Sequence, residues 1–316
     1  MDKNIFETKN LVKLVCGAGN EDCLEVEKLV MLYSMAGCEM FDISADLDVL
    51  RAAKRGILKS GVGGNRYICV SVGIAGDPHT EKANITPETC IKCGKCASIC
   101  LQSAIDNNLH INKKRCIGCG KCKKNCPAKS IYMTSEVKDL EEVLPPLIKE
   151  GIDCIEFHAI SEDEAETFRV WDIINKLYDG MLSICVDRSK LGNEKLLQRV
   201  KEMLSCRKPY TTIIQADGAP MSGGVDDFKT TLQAVATAEL FQDEDLPVYL
   251  LISGGTNSKT AQLAKQCGVY PDGISIGSFA RKLVKKYLQT PNFTEDEGTF
   301  KSALDVAQKL VEDLKQ

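Results

Sequence analysis

No stretch of the 316-residue chain approaches the roughly 20 consecutive apolar residues of a membrane-spanning helix. The opening MDKNIFETKN has no apolar run behind a basic segment, so neither a span nor a secretory leader is expected. An excess of positive charge is also missing. The 40 Lys and Arg face 44 Asp and Glu, a formal net charge of −4, which argues against a nucleic-acid partner. Disulfide order is absent too: eight of the 16 cysteines crowd into one short stretch and the rest show no framework spacing. Eight thiols that must stay reduced exclude an oxidising compartment, and a cytoplasmic protein is expected.

The crowded stretch runs from Cys90 to Cys126 and contains one pattern twice. Cys90, Cys93, Cys96 and Cys100 repeat as Cys116, Cys119, Cys122 and Cys126, and CIKCGKCASICLQSAI aligns with CIGCGKCKKNCPAKSI. Three thiolates two residues apart wrap one iron-sulfur cube, while the fourth, three residues on, points to the other cube. Two [4Fe-4S] clusters are therefore expected, one on Cys90, Cys93, Cys96 and Cys126 and one on Cys116, Cys119, Cys122 and Cys100. Gly94, Gly118 and Gly120 would let the backbone turn N–H groups towards the sulfurs. Leu101 stands where the usual proline follows the fourth cysteine, a change that touches turn rigidity more than ligation. The alternative is a pair of zinc sites, which also use Cys-x2-Cys pairs. Around the cysteines, Lys92, Lys95, Lys113, Lys114, Lys121, Lys123, Lys124, Lys129 and Arg115 face a single acid, Asp106. They form either a docking face for an acidic electron carrier or a simple offset to the cluster charge.

Away from this stretch, strand-like apolar runs alternate with amphipathic helical segments. Strands are expected at 11–19, 39–46, 67–74, 154–160, 182–189, 211–218, 248–255 and 273–278. Eight strand–helix units in about 250 residues give an α/β fold of (β/α)8 TIM-like type; an open doubly wound sheet is the competitor. The ferredoxin-type module falls after strand three. The expected organisation is barrel over 1–75, a two-cluster insert over 76–135 and barrel again over 136–316. Pro145-Pro146 is expected to kink or break the helix after the insert.

An insert after a barrel strand emerges at the C-terminal rim, where active sites of this fold are built. Gly254, Gly255, Thr256 and Asn257 after strand seven lie beside Gly277 and Ser278 after strand eight. These loops suit a phosphate, and with clusters nearby the economical ligand is flavin mononucleotide; glycines that merely turn the chain are the plain reading. The next loop, Gln215 and Asp217 through Gly224, is a contact or lid candidate. His158, Asp187, Arg188, Ser44 and Asp46 complete the polar set at the rim. Cys16, Cys69, Cys154 and Cys185 lie on strands, as a third metal site or, more simply, as core residues. Lys13 has an undecided direction.

The opening KLVCGAGNEDCLEVEKLVMLYSMAGC, the FDISAD strand, the double cysteine run and the phrase QADGAPMSGG resemble the light-dependent period modulator (LdpA) family of iron-sulfur proteins. That resemblance covers most of the chain and implies a two-cluster protein that senses or relays redox state, without a settled reaction. A weaker resemblance, carried by the SGG and IGS loops, is to flavin barrels with ferredoxin modules. Two functions are thus in play. One is an electron-transfer or redox-sensing protein that works with an electron-carrier or redox partner; the other is an FMN-dependent, ferredoxin-linked reductase taking a phosphorylated small molecule.

Overall fold

The computed structural model describes residues 1–75, 77–188, 191–218 and 225–315. A short helix α1 (Asn4–Glu7) precedes β1 (Leu11–Val15), α2 (Cys23–Met35), β2 (Met40–Ser44), α3 (Leu47–Ser60) and β3 (Tyr67–Gly73). The insert follows, with β4 (Glu81–Ile85), α4 (Lys95–Ser98), α5 (Lys121–Lys124) and β5 (Ile131–Ser135). The alternation then resumes as α6 (Leu140–Glu150), β6 (Cys154–His158), α7 (Glu164–Leu177), β7 (Met181–Asp187), α8 (Asn193–Leu204) and β8 (Thr212–Asp217). It ends with α9 (Phe228–Gln242), β9 (Tyr249–Ser253), α10 (Thr260–Gln266), β10 (Gly273–Ile276), α11 (Ser278–Leu288) and α12 (Glu297–Leu314).

Eight parallel strands close in the order β1-β10-β9-β8-β7-β6-β3-β2. Closure is made by β1 on β10, with Leu11 opposite Gly273 and Leu14 opposite Ile276, which excludes the open sheet. The region around 76–135 leaves the barrel after β3, and β4 and β5 pair there as a separate antiparallel ribbon. Aspartates set the entry of many helices: Asp22, Asp46, Asp139, Asp163, Asp227 and Asp296 each accept a backbone N–H of the first turn. Each such cap contributes about 1 kcal/mol. Asp46 is therefore a cap as well as a rim residue. The expected break at Pro145-Pro146 does not occur. Helix α6 runs through both prolines from its Asp139 cap to Gly151, whose N–H closes on Leu147 and Ile148.

Strand residues alternate between two environments. Val12, Leu14, Phe41, Ile43, Ile68, Val70, Ile155, Phe157, Leu182, Ile184, Ile214 and Ile252 pack outward into the layer between barrel and helices. Their neighbours point inward and form three levels. The lowest is apolar, with Leu11, Met40, Cys69, Cys154, Met181, Ile213 and Leu251 plugged by Phe6. The middle level is polar: Lys13 reaches Glu156 and Gln215, Ser183 donates to Glu156, and Ser71 donates to Asp42. The top level carries His158, Cys185, Asp217 and Ser253 at the mouth. Among the described residues no helix is long and apolar enough to cross a membrane.

Candidate iron-sulfur module and barrel mouth

The two cysteine repeats share a backbone as well as a spelling. Lys92 and Gly118 hold matching left-handed conformations, with φ of 54° and 73°, between the first and second cysteine of each repeat. Gly94 and Gly120 take φ of 73° and 65° as the residues that open α4 and α5, a region where a side chain is strained. Ser103 and Lys129 correspond in the same way, at 49° and 51°. Just beyond them the N–H of Ala104 meets Sγ of Cys100 at 3.3 Å, and that of Ser130 meets Sγ of Cys126 at 3.3 Å. Leu101 thus reproduces the geometry that Pro127 has in the second repeat. Ala83 N–H reaches Sγ of Cys116 at 3.4 Å.

The fourth cysteine of each repeat joins the other repeat. Cys126 lines a small apolar cavity with Cys90, Cys93 and Cys96, walled by Ile85, Leu109 and Ile131. Burial pushes the Cys122 thiol up to about 11. The N–H of Lys123 works against the shift, and neighbouring Cys119, Cys116 and Cys100 add to it. Burial likewise raises Cys119, opposed by Lys121 and reinforced by Cys100 and Cys116. Four crowded thiols with N–H groups aimed at sulfur fit a thiolate-held metal cluster, since those N–H groups favour the charged form.

The module sits on the barrel mouth through Lys82. Its buried ammonium donates to the carbonyls of Gly19 at 2.7 Å, Cys116 at 2.9 Å and Lys113 at 3.1 Å. Arg115 pairs with Asp22 and Glu25 at the start of α2. Lys285 of α11 reaches the Cys100 carbonyl at 3.4 Å. Ile117, between Cys116 and Gly118, lines the mouth cavity beside Arg281. Lys92, Lys95, Lys114, Lys123, Lys124 and Lys129 remain exposed, whereas Lys113 is turned inward onto the Ala83 carbonyl and Asn84.

Beneath the module, His158 is fully enclosed. Its Nδ1 lies 3.0 Å from Oδ2 of Asp77, whose other oxygen is 2.8 Å from Nδ1 of His79. Its Nε2 lies 3.4 Å from Oε1 of Glu156. Burial opposes a charge on His158, but Asp77 and then Glu156 outweigh it and raise the imidazole well above its ordinary value. Burial also works against the Glu156 carboxylate, and Lys13 with His158 overcomes it. Burial and then Glu156 push Asp217 up to about 6, and the opposing influences of Ser253, His158 and Cys185 do not prevail. Its Oδ1 has no hydrogen-bond partner among the described residues.

The rim residues singled out in the sequence divide. Gly254, Gly255, Thr256, Gly277, Ser278, Gln215 and Asp217 line one cavity of about 70 Å³. Asn257 is no part of its wall; it is fully buried, and its amide donates to the Val225 and Asp227 carbonyls. Thr256 donates to the Ser275 carbonyl at 2.7 Å. Gln215 is spent on Lys13, Ser275 and Glu156. A Cβ on Gly218 would stand 2.5 Å from the Gly254 carbonyl, so these glycines let the loops after β8 and β9 pack against each other. Arg188 turns away, onto Asn193 and the Ala236 carbonyl. Ser44 and Asp46 line an adjoining space of about 350 Å³. Ser189 and the lid residues Ala219–Gly224 lie outside the described residues.

The described wall does not fit flavin mononucleotide. Ligand pockets of that class have roughly 300–1,000 Å³, and here the cavity is about 70 Å³ with the carboxylates of Asp42, Glu156 and Asp217 in its wall. Sequence reading missed Asp77 and Glu156. Asp77 lies in the joint between β3 and the insert, and Glu156 looked like one polar residue in an apolar strand.

Fold and site together define a (β/α)8 barrel with a 4Fe-4S binding module seated on its mouth; the 4Fe-4S binding domain model matches residues 109–132. The Light dependent period A C-terminal domain matches residues 146–315, and the chain belongs to the Light dependent period A family. It is 28% identical over 312 residues to Light dependent period A of Synechococcus elongatus, covering 95% of this chain and 87% of that protein. Among solved structures, a ligand-free tryptophan synthase from M. tuberculosis aligns with a TM-score of 0.49 and 11% identity, covering 99% of this chain and 98% of that one. The alpha subunit from Legionella pneumophila aligns with a TM-score of 0.48 and 9% identity, covering 99% of each chain. Likenesses this distant carry no argument about activity.

Proposed function

We propose that this chain is an electron-transfer or redox-sensing protein that holds two [4Fe-4S] clusters, one at the exposed tip of the module and one over the barrel mouth. The observation that supports this best is the exchange of fourth ligands, with Cys126 among Cys90, Cys93 and Cys96, and Cys100 among Cys116, Cys119 and Cys122. Bound in these two sets, the clusters supply one-electron chemistry. The protein's own part is to hold and place them. Backbone N–H groups on Cys100, Cys116 and Cys126 stabilise sulfur charge, and the small apolar core of Ala83, Ala104, Ile105 and Ile131 keeps water from the inner sides. Exposed Cys93, flanked by Lys92 and Lys95, forms the face for an acidic electron carrier. Cys116 and Cys119 form the opposite end, where Ile117 and Arg281 meet the mouth cavity.

Anaerobic purification with iron, sulfide and flavin analysis tests this reading. About eight irons per chain, a brown spectrum that bleaches on reduction and no released flavin are expected. Colourless protein, or protein carrying zinc on these thiols, would refute it.

A further inference from the structure

Glu156 and His158 are alternate residues on one face of β6, and His158 is the register partner of Cys185 on β7. Topology thus brings a carboxylate, an imidazole and a thiol to one point beneath the insert, with one ligand atom of each within 4.8 Å of the others. All three side chains are buried. We propose that this point is a binding site for a single divalent first-row transition-metal ion, held by Glu156, His158 and Cys185 and separate from the eight cluster cysteines.

The geometry of His158 carries the argument. Asp77 takes its Nδ1 at 3.0 Å and aims Nε2 at Glu156 Oε1, the carboxylate–histidine arrangement that fixes the tautomer of a metal-bound imidazole. The gap from Nε2 to Oε1 is 3.4 Å, long for a hydrogen bond between charged groups. An ion with tetrahedral bonds of about 2.1 Å holds neighbouring N and O ligands about 3.4 Å apart. Nitrogen, sulfur and oxygen together select zinc or ferrous iron over magnesium or calcium.

Asp217, on the strand beside β7, lines the same cavity and is buried with Oδ1 unpartnered among the described residues, an acceptor for water on the ion. Around this point the buried carboxylates Asp42, Asp77, Glu156 and Asp217 outnumber the permanent cations Lys13 and Arg281, and a dication bound to neutral His158 offsets the excess. Three protein ligands leave a fourth position opening on the cavity of about 70 Å³, enough for water or a small ligand. Cys185 therefore differs from Cys69 and Cys154, which lie in the apolar floor of the barrel.

The site stands whether or not the cluster assignment holds, so its test reads the added metal. Full-length protein, purified without oxygen and treated with a mild chelator, is titrated with Co²⁺. One cobalt per chain is expected, with thiolate-to-cobalt charge-transfer absorption and unchanged iron content. In Cys185→Ser that absorption disappears, and in Asp77→Asn cobalt binds roughly 10- to 100-fold more weakly. Cobalt-edge X-ray absorption on the unsubstituted chain should show one sulfur among nitrogen and oxygen ligands, and needs no variant to fold. No bound cobalt, an all-sulfur shell, or charge transfer that survives Cys185→Ser overturns the proposal.

Discussion

Lys82, on the first strand of the insert, donates its ammonium to the carbonyl of Gly19 in the loop after the first barrel strand, 2.7 Å away. The two residues come from separate units, and the same ammonium also binds the Cys116 and Lys113 carbonyls. Burial lowers the lysine from its ordinary value, a cost that these carbonyls repay through charge-assisted bonds. Lys82→Met should loosen the module from the mouth and cost about 2 kcal/mol. Amide exchange should rise at residues 17–20 and across the cysteine segment while the barrel helices stay protected. Unchanged exchange at both would contradict the seating role.

The inner polar level depends on Lys13 and Glu156, a fully buried pair. Lys13→Met leaves Glu156 without its cation and should destabilise the fold by roughly 3–5 kcal/mol. Denaturant unfolding of the two proteins measures the difference, and a loss under about 1 kcal/mol would show that Gln215 and Ser183 suffice.

Asp42 gives a pH signature. Burial and then Glu156 raise it from 3.8 to about 6. The folded state therefore holds a proton that the unfolded state releases, so this contribution is complete below pH 3.8 and is lost as pH rises through about 6. Asp42→Asn keeps the neutral form at every pH. Its melting temperature relative to the parent should rise between pH 4 and pH 7, by the equivalent of up to about 3 kcal/mol. A difference that does not change with pH would place the carboxyl in an ordinary environment.

Cluster crossover predicts which cysteine variants resemble each other. Cys100→Ser should remove the same paramagnetic component as Cys122→Ser, and Cys126→Ser the same one as Cys96→Ser, each with roughly half the iron lost. Pairing by sequence neighbourhood, Cys100 with Cys96, would reverse the outcome.

Lys92 and Lys95 flank the exposed Cys93. Replacing both by Glu should slow reduction by an acidic carrier such as a flavodoxin about tenfold or more at low salt, with the difference shrinking near 0.5 M salt. Rates from stopped-flow mixing decide this, and equal rates at low salt would mean that the lysines only offset cluster charge.

Much of the architecture was legible in the sequence because its signals are local. Cysteine spacing specifies ligand geometry within a dozen residues, and apolar runs separated by amphipathic segments specify strand and helix in turn. Pro145-Pro146 misled because five residues of helix and the Asp139 cap precede Pro145, and the tertiary contacts of Leu144 and Leu147 hold the helix through the lost backbone bonds. The role of the glycine loops after β9 and β10 was not legible because a glycine required for loop packing, such as Gly218 against Gly254, is spelled like one that cradles phosphate.

By itself the sequence determined the eight-thiol module, the barrel and the point at which one interrupts the other, since each follows from spacing and periodicity along the chain. Only the tertiary structure decided what fills the barrel. Its strands are buried on both faces, so the alternation that would reveal an inward residue is absent from the sequence. Closure of the ring brings Lys13, Glu156, Gln215 and Ser275 together, with the Lys13–Gln215 hydrogen bond alone spanning 202 residues of chain. His158, Cys185 and Asp77 meet for the same reason, on three segments that no local pattern connects.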